Sequence, residues 1–211
     1  MIVVSLNDVS RAFSERFVLH HIQLEMKEGE AVALVGHNGS GKTTLLRIVS
    51  TLLAPSSGEV RLFGDSEEEL SSPSIRKKIG ALFTEGFLYG DLTVRQNLNF
   101  YAALHGISPA PRLITEELDR FGMRAFENEL VRTLSRGERQ RIALIRSTLH
   151  SPSLILWDEP TTGLDQRGRQ LFIDAAKSKK SKTTILCSTH DLSIVESWVD
   201  RTITLAGGRI Q

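Results

Sequence analysis

The sequence predicts an α/β fold in which a mostly parallel sheet with crossover helices follows an antiparallel β-subdomain and carries an inserted helical lobe. Three observations predict it. An uninterrupted apolar run at residues 31–35 reads as a strand buried on both faces, and two further apolar strands follow at 154–157 and 184–188. Between them lie segments of helical period, the alternation that builds parallel sheets. Residues 84–150 read as mostly helical throughout.

The elements follow in order. Residues 2–9, then Phe17, Leu19, Ile22, Leu24 and Met26, show partial period-2 patterning, as half-buried antiparallel strands do. Glu28-Gly29-Glu30 is a turn before the buried run 31–35. From Thr43 the period changes, with Leu45, Ile48, Val49 and Leu52 at helical spacing. Pro55-Ser56-Ser57-Gly58 ends that helix, and residues 59–63 alternate again. Helices are predicted over 94–104, 115–121 and about 168–179. No internal repeat or low-complexity linker divides the chain. It reads as one unit, 1–211, with a core of 1–83 plus 151–211 and a helical lobe at 84–150.

Composition bounds the function. The 211 residues are 40% hydrophobic and 24% charged, enough for an ordinary core. Lys plus Arg is 26 against 25 Asp plus Glu, a net charge of +1. Binding to nucleic acid through bulk charge is thereby excluded. The single Cys187 excludes an internal disulfide framework and suits a reducing compartment. No run approaches the roughly 18–20 apolar residues that cross a bilayer, and the N-terminus lacks a basic start. The expectation is a soluble intracellular protein.

Gly36-His37-Asn38-Gly39-Ser40-Gly41-Lys42-Thr43 fits G-x-x-x-x-G-K-[ST] and sits between a buried strand and a helix, the context that motif requires. Glycines let backbone N–H groups wrap a phosphate, and the helix start presents its positive end to the same anion. Lys42 is placed to reach the β- and γ-phosphates, and Thr43 offers a hydroxyl to Mg²⁺. The loop predicts nucleoside triphosphate binding on a P-loop NTPase core. The strand 154–157 runs into Asp158 and Glu159, and carboxyl ends of parallel strands face the ligand crevice. Asp158 suits Mg²⁺, and Glu159 suits polarising an attacking water.

Further motifs follow in order: Leu134-Ser135-Arg136-Gly137-Glu138, Thr162-Gly163-Leu164-Asp165 and Ser188-Thr189-His190-Asp191. With these, the whole chain resembles the ATP-binding subunits of ABC (ATP-binding cassette) transporters. The resemblance implies an ATPase with a Walker A loop at 36–44 (Thr44 included), a Walker B strand ending at Asp158, catalytic Glu159, a D-loop around Asp165 and a switch His190. It implies that Phe13, 29 residues before Lys42, stacks on adenine; read from the residues alone, Phe13 fits a half-buried strand position equally. It implies that Ser135 and Gly137 meet the γ-phosphate held by a second, identical chain, so that two chains sandwich two ATP molecules. It also implies a separate membrane-spanning permease, no nucleic acid, and a cytoplasmic, peripheral location. From the residues, Ser135 and Glu138 are spaced as a capping box, with Ile142, Ile145 and Leu149 as the buried stripe behind it.

Soluble family members that act on ribosomes carry two cassettes, and those acting on DNA insert long coiled coils between the Walker motifs. Neither pattern is present, and intact Glu159 and His190 disfavour a purely regulatory module. The lack of an extension after residue 210 reads as a minimal subunit. The L-S-R-G-E variant and Asn97-Leu98-Asn99-Phe100-Tyr101 are similar to haem exporter subunits of cytochrome c maturation.

Two positions depart from the family. Thr84 stands where Gln usually joins core and lobe, which gives the neighbouring Glu85 a weak claim on Mg²⁺. Arg136 stands where the signature motif normally has Gly. An Arg at a helix N-terminus opposes the dipole, so its side chain is expected to turn outward into water.

Overall fold

The computed structural model describes the chain except residues 65–69, 71, 85, 108–109 and 181. The expected Glu85 ligand and the run Glu67–Glu69 therefore lie outside the described residues.

Strands β1 (Ile2–Phe13) and β2 (Arg16–Lys27) form an antiparallel hairpin, and β4 (Ser57–Leu62) pairs with the other edge of β1. The second sheet has the order β5-β6-β7-β3-β8-β9, from β3 (Ala31–Val35), β5 (Ile79–Leu82), β6 (Leu154–Asp158), β7 (Thr184–Thr189), β8 (Arg201–Ala206) and β9 (Arg209–Ile210). Its first five strands are parallel, and β9 returns antiparallel to β8.

Period-2 burial divides the interior in two. Val32, Leu34, Leu154, Leu156 and Leu186 face the β1–β2–β4 sheet and helix α1 (Lys42–Val49). The alternating Ala31, Ala33, Ile155, Trp157, Ile185 and Cys187 face the other side. That second cluster continues into the lobe through Val94 and Leu98 of α3 (Val94–Leu104), Ile114 and Leu118 of α4 (Pro111–Arg120), and Ile142 and Ile145 of α5 (Arg136–Thr148). Phe172 of α6 (Gln166–Lys179) closes it against Trp157. The lobe thus shares one apolar cluster with the sheet. Burial pushes the Cys187 thiol well up, as befits a small core residue.

Helix α3 begins at a full capping box between Thr93 and Gln96, and its bounds are those the period predicts. Helix α4 begins four residues before the predicted 115, because Pro111 is pre-set for the first turn. The short α2 (Pro73–Lys77) and the β8–β9 pair carry no strong period and were not predicted from it. Asn97 is fully buried: its side chain accepts from the Tyr89 N–H and donates to the carbonyls of Tyr89, Leu92 and Thr93. The 97–101 motif therefore has a structural job, fixing the turn before α3.

Candidate nucleotide site

The phosphate loop joins β3 to α1. Two of its glycines are demanded by space: a Cβ on Gly36 would sit 2.4 Å from the Leu205 carbonyl oxygen. Gly41, at φ 107, would drive one to 2.8 Å from Leu19 Cδ2. Gly41 also caps α1 without a side chain, and the first turn holds no acid. The N–H groups there keep their positive end for an incoming anion.

Lys42 has only 7% of its side chain exposed, and its Nζ donates to the Gly36 carbonyl at 2.8 Å and the His37 carbonyl at 3.2 Å. The ammonium is thus folded back over the loop, satisfied by carbonyls it can exchange for phosphate oxygens. Buried Ser40 Oγ has no partner among the described residues. A cavity of about 360 Å³ lies over the loop, lined by Val18, Asn38, Gly39, Gly41, Lys42, Thr43, Thr44 and Glu159. An orphaned hydroxyl, a held cation and free helix N–H groups fit a polyphosphate.

Asp158 and Glu159 end β6 beside β7 and use opposite kinds of neighbour. The Asp158 carboxylate accepts from Thr43 Oγ1 at 2.7 Å and from Ser188 Oγ at 2.6 Å. Thr43 and Asp158 together offer hard oxygen donors of the kind Mg²⁺ takes. Glu159 Oε2 lies 2.8 Å from His190 Nδ1, while Oε1 is 3.5 Å from Lys42 Nζ and makes no hydrogen bond. The backbone of Glu159 is left-handed, φ 47, a conformation costing about 1–2 kcal/mol for a residue with a Cβ. Its N–H donates to both the carbonyl and the hydroxyl of Ser188, at 3.2 and 3.0 Å. Strand register puts Ser188 directly opposite Asp158.

Ser188 therefore holds both acids, a role the sequence does not reveal. A buried hydroxyl at the carboxyl end of β7, beside the two acids that end β6, was the available signal. The remaining predicted residues divide. His37 turns its ring to the Asn38 carbonyl and stays exposed. Phe13 is 46% exposed at the end of the hairpin, with the Arg11 guanidinium 4.7 Å over its ring, and Val18 rather than Phe13 lines the loop cavity. Asp165 caps α6 by accepting from the Gly168 N–H at 2.7 Å.

Ser135 caps α5, with Glu138 returning the bond to the Ser135 N–H at 2.7 Å. Neither Ser135 nor Gly137 lines the loop cavity. A second cavity of about 620 Å³ lies on the lobe side of Glu159, bordered by Thr84, Arg136, Arg139, Gln140, Asp158 and others. Arg136 is exposed, as an outward side chain would be, but its stem is not free: it lies against Gly163.

A family model described as ABC transporter matches residues 19–162. Curated relatives include the ABC transporter ATP-binding protein NatA of Bacillus subtilis (strain 168), 34% identical over 99% of this chain and 87% of its own. The bacitracin transport ATP-binding protein BcrA of Bacillus licheniformis is 32% identical over 99% and 68%. The phosphonates import ATP-binding protein PhnC 2 of Nostoc sp. (strain PCC 7120 / SAG 25.82 / UTEX 2576) is 34% identical over 92% and 84%. A solved ATP-binding subunit of an ABC transporter superposes with a TM-score of 0.90 at 27% identity, covering 99% of this chain and 88% of that one. The dimeric bacterial cassette MJ0796 gives 0.84 at 29% identity, covering 99% and 96%.

Proposed function

This chain belongs to the ABC transporter family of ATP-binding subunits, and on that premise we propose that it hydrolyses ATP as a homodimer beneath a separate membrane-spanning permease. ATP binding and hydrolysis are the family's activity. The observation that carries the residue assignment is the meeting of Lys42, Thr43, Asp158, Glu159 and His190 around one loop.

The division of labour follows from that geometry. Lys42 exchanges its two carbonyls for the β- and γ-phosphate oxygens, and Ser40 and the first N–H groups of α1 complete the cradle. Thr43 and Asp158 would hold Mg²⁺, which when bound neutralises phosphate charge. Glu159 turns Oε1, which makes no hydrogen bond, to the attacking water, orients it and takes its proton. His190 fixes the other oxygen and faces the γ-phosphate. Phe13 stacks on adenine once the nucleotide is in place. Ser135 and Gly137, at a capped helix end away from this loop, serve the ATP of the second chain; the dimeric MJ0796 cassette supports that reading.

The permease has a fitting surface. Leu52, Phe87 and Leu104 are exposed around a cavity of about 500 Å³ between lobe and core, with Arg76 and Arg146 in its lining. Exposed apolar groups clustered in this way mark partner surfaces. Among the described residues no helix is long and apolar enough to cross a membrane. It is membership of the family that assigns the spanning helices to that partner and this subunit to the membrane's cytoplasmic face. The haem cargo suggested by the 134–138 variant gains no support from relatives named for bacitracin and phosphonates, and no cargo is assigned.

Glu159→Gln tests the reading. It keeps ATP affinity and loses hydrolysis by about 10²–10⁴-fold, the usual contribution of a general base. ATP then accumulates in a dimer seen by size-exclusion chromatography. Hydrolysis at the parental rate would remove Glu159 from the mechanism.

A further inference from the structure

The first turn of α5 is stitched to the turn that follows Glu159. Gln140 Nε2 donates to the Pro160 carbonyl at 2.9 Å. A Cβ on Gly137 would meet the Gly163 carbonyl oxygen at 2.8 Å, so the two backbones are in direct contact. Arg136 completes the seam. A Cβ on Gly163 would lie 3.1 Å from Arg136 Cγ and 3.2 Å from its Cδ and Nε. The stem of Arg136 therefore runs along the bare face of Gly163, whose φ of +81 keeps that face open.

The turn itself is internally tied. The Thr162 N–H donates to the Glu159 carbonyl and the Leu164 N–H to the Thr161 carbonyl, both at 3.1 Å. The left-handed backbone of Glu159 is held by this turn and by Ser188. A backbone kept in so narrow a well transmits a push at Gly163 to the carboxylate four residues away.

We propose that Arg136 is a positioning residue that clamps the 159–165 turn to the first turn of α5 and so holds Glu159 at the angle its chemistry needs. The clamp acts inside one chain and through the aliphatic stem. A side chain in place of the family's glycine thereby supports the catalytic carboxylate rather than crowding the partner. The proposal rests on Glu159 being the group that activates water.

The experiment is steady-state ATP hydrolysis by the full chain, with KM and kcat separated, for Arg136→Ala, Arg136→Met, Gly163→Ala and the double variant. Arg136→Ala lowers kcat about three- to tenfold with KM unchanged, well short of the ~10²-fold that a 1 Å misplacement can cost. Arg136→Met restores the rate, because an unbranched stem without charge still covers Gly163. Adding Arg136→Ala to Gly163→Ala recovers part of the loss from Gly163→Ala, since the new methyl takes the vacated space; the cycle is non-additive. An unchanged kcat in Arg136→Ala, or a loss in Arg136→Met equal to that in Arg136→Ala, overturns the clamp. Additivity in the cycle overturns it as well. Glu159→Gln run alongside separates the two readings: parental hydrolysis there indicts the assignment of Glu159, while its loss together with an inert Arg136 indicts the clamp alone.

Discussion

The two ends of the ATP machinery in this chain are built in opposite ways. At the phosphate loop, the acting groups form a chain: Thr43 on Asp158, Asp158 on Ser188, Ser188 on the Glu159 backbone, Glu159 on His190. At the start of α5, the Ser135 and Glu138 side chains each accept from the other's backbone N–H, and neither lines the loop cavity. The first end is pre-assembled, so binding costs little rearrangement. The second is a capped positive helix end that needs another molecule to be useful. In the proposed dimer, one chain supplies a floor to its own ATP and a lid to its partner's.

Ser188→Ala attacks the pre-assembled end, and its effect is the largest expected beyond the catalytic acid itself. Asp158 loses its 2.6 Å bond and the Glu159 N–H loses one of two acceptors. An unsatisfied buried group costs about 1–3 kcal/mol, so stability in urea should fall by that amount. Hydrolysis should fall with it through kcat rather than KM. An unchanged kcat would mean the carboxylates do not depend on Ser188 for their aim.

At the junction of lobe and core, His105, after α3, stacks on His150, after α5, at 3.6 Å between ring centroids. Burial, then His105 and Arg146, push His150 down to about 4, and burial lowers His105 as well. The fold therefore favours neutral rings. Their contribution is fully present above the ordinary histidine value near 6.5 and is lost as the pH falls from there through about 4. Urea titrations at pH 7 and pH 4.5 should differ by about 2 kcal/mol through this pair, given a 1.36 kcal/mol scale per pKa unit and partial solvent access. His150→Gln should flatten that difference. If its pH profile matches the parent's, the stack does not join lobe to core.

Thr84 sharpens the comparison most gently. It borders the cavity on the lobe side of Glu159, and a Gln amide there would add a longer reach and both a carbonyl acceptor and N–H donors. Thr84→Gln should raise basal hydrolysis of the isolated chain. A lower rate would show that the short hydroxyl is itself in use.

The sequence made the pre-assembled end legible because its signals are local. A glycine loop between a buried strand and a helix, and two acids at a strand's carboxyl end, can be read without knowing any register. The cap at Ser135 was local too, and its bonds form as spaced, at 3.3 and 2.7 Å. Ser188 was hidden, since its role exists only once β6 and β7 align it with Asp158. The seat of Arg136 on Gly163 was hidden for the same reason: 27 residues separate two groups that only the α5–sheet packing brings together. Propensity likewise favoured an outward arginine, and tertiary contact gave its stem a surface to follow. Short elements such as α2 and β9 offered too few residues for any period to appear.

The claim that each chain supplies a floor and a lid to different ATP molecules is tested most directly by mixing two inactive chains. Lys42→Ala removes a phosphate cation from the floor. Ser135→Trp places a bulky ring at the lid while leaving the floor untouched. Each variant alone should fail to hydrolyse ATP. Mixed, they should regain activity, because a heterodimer pairs the intact Lys42 of one chain with the intact Ser135 of the other at a single site. A mixture as inactive as its components, with the parent active under the same conditions, would contradict the account.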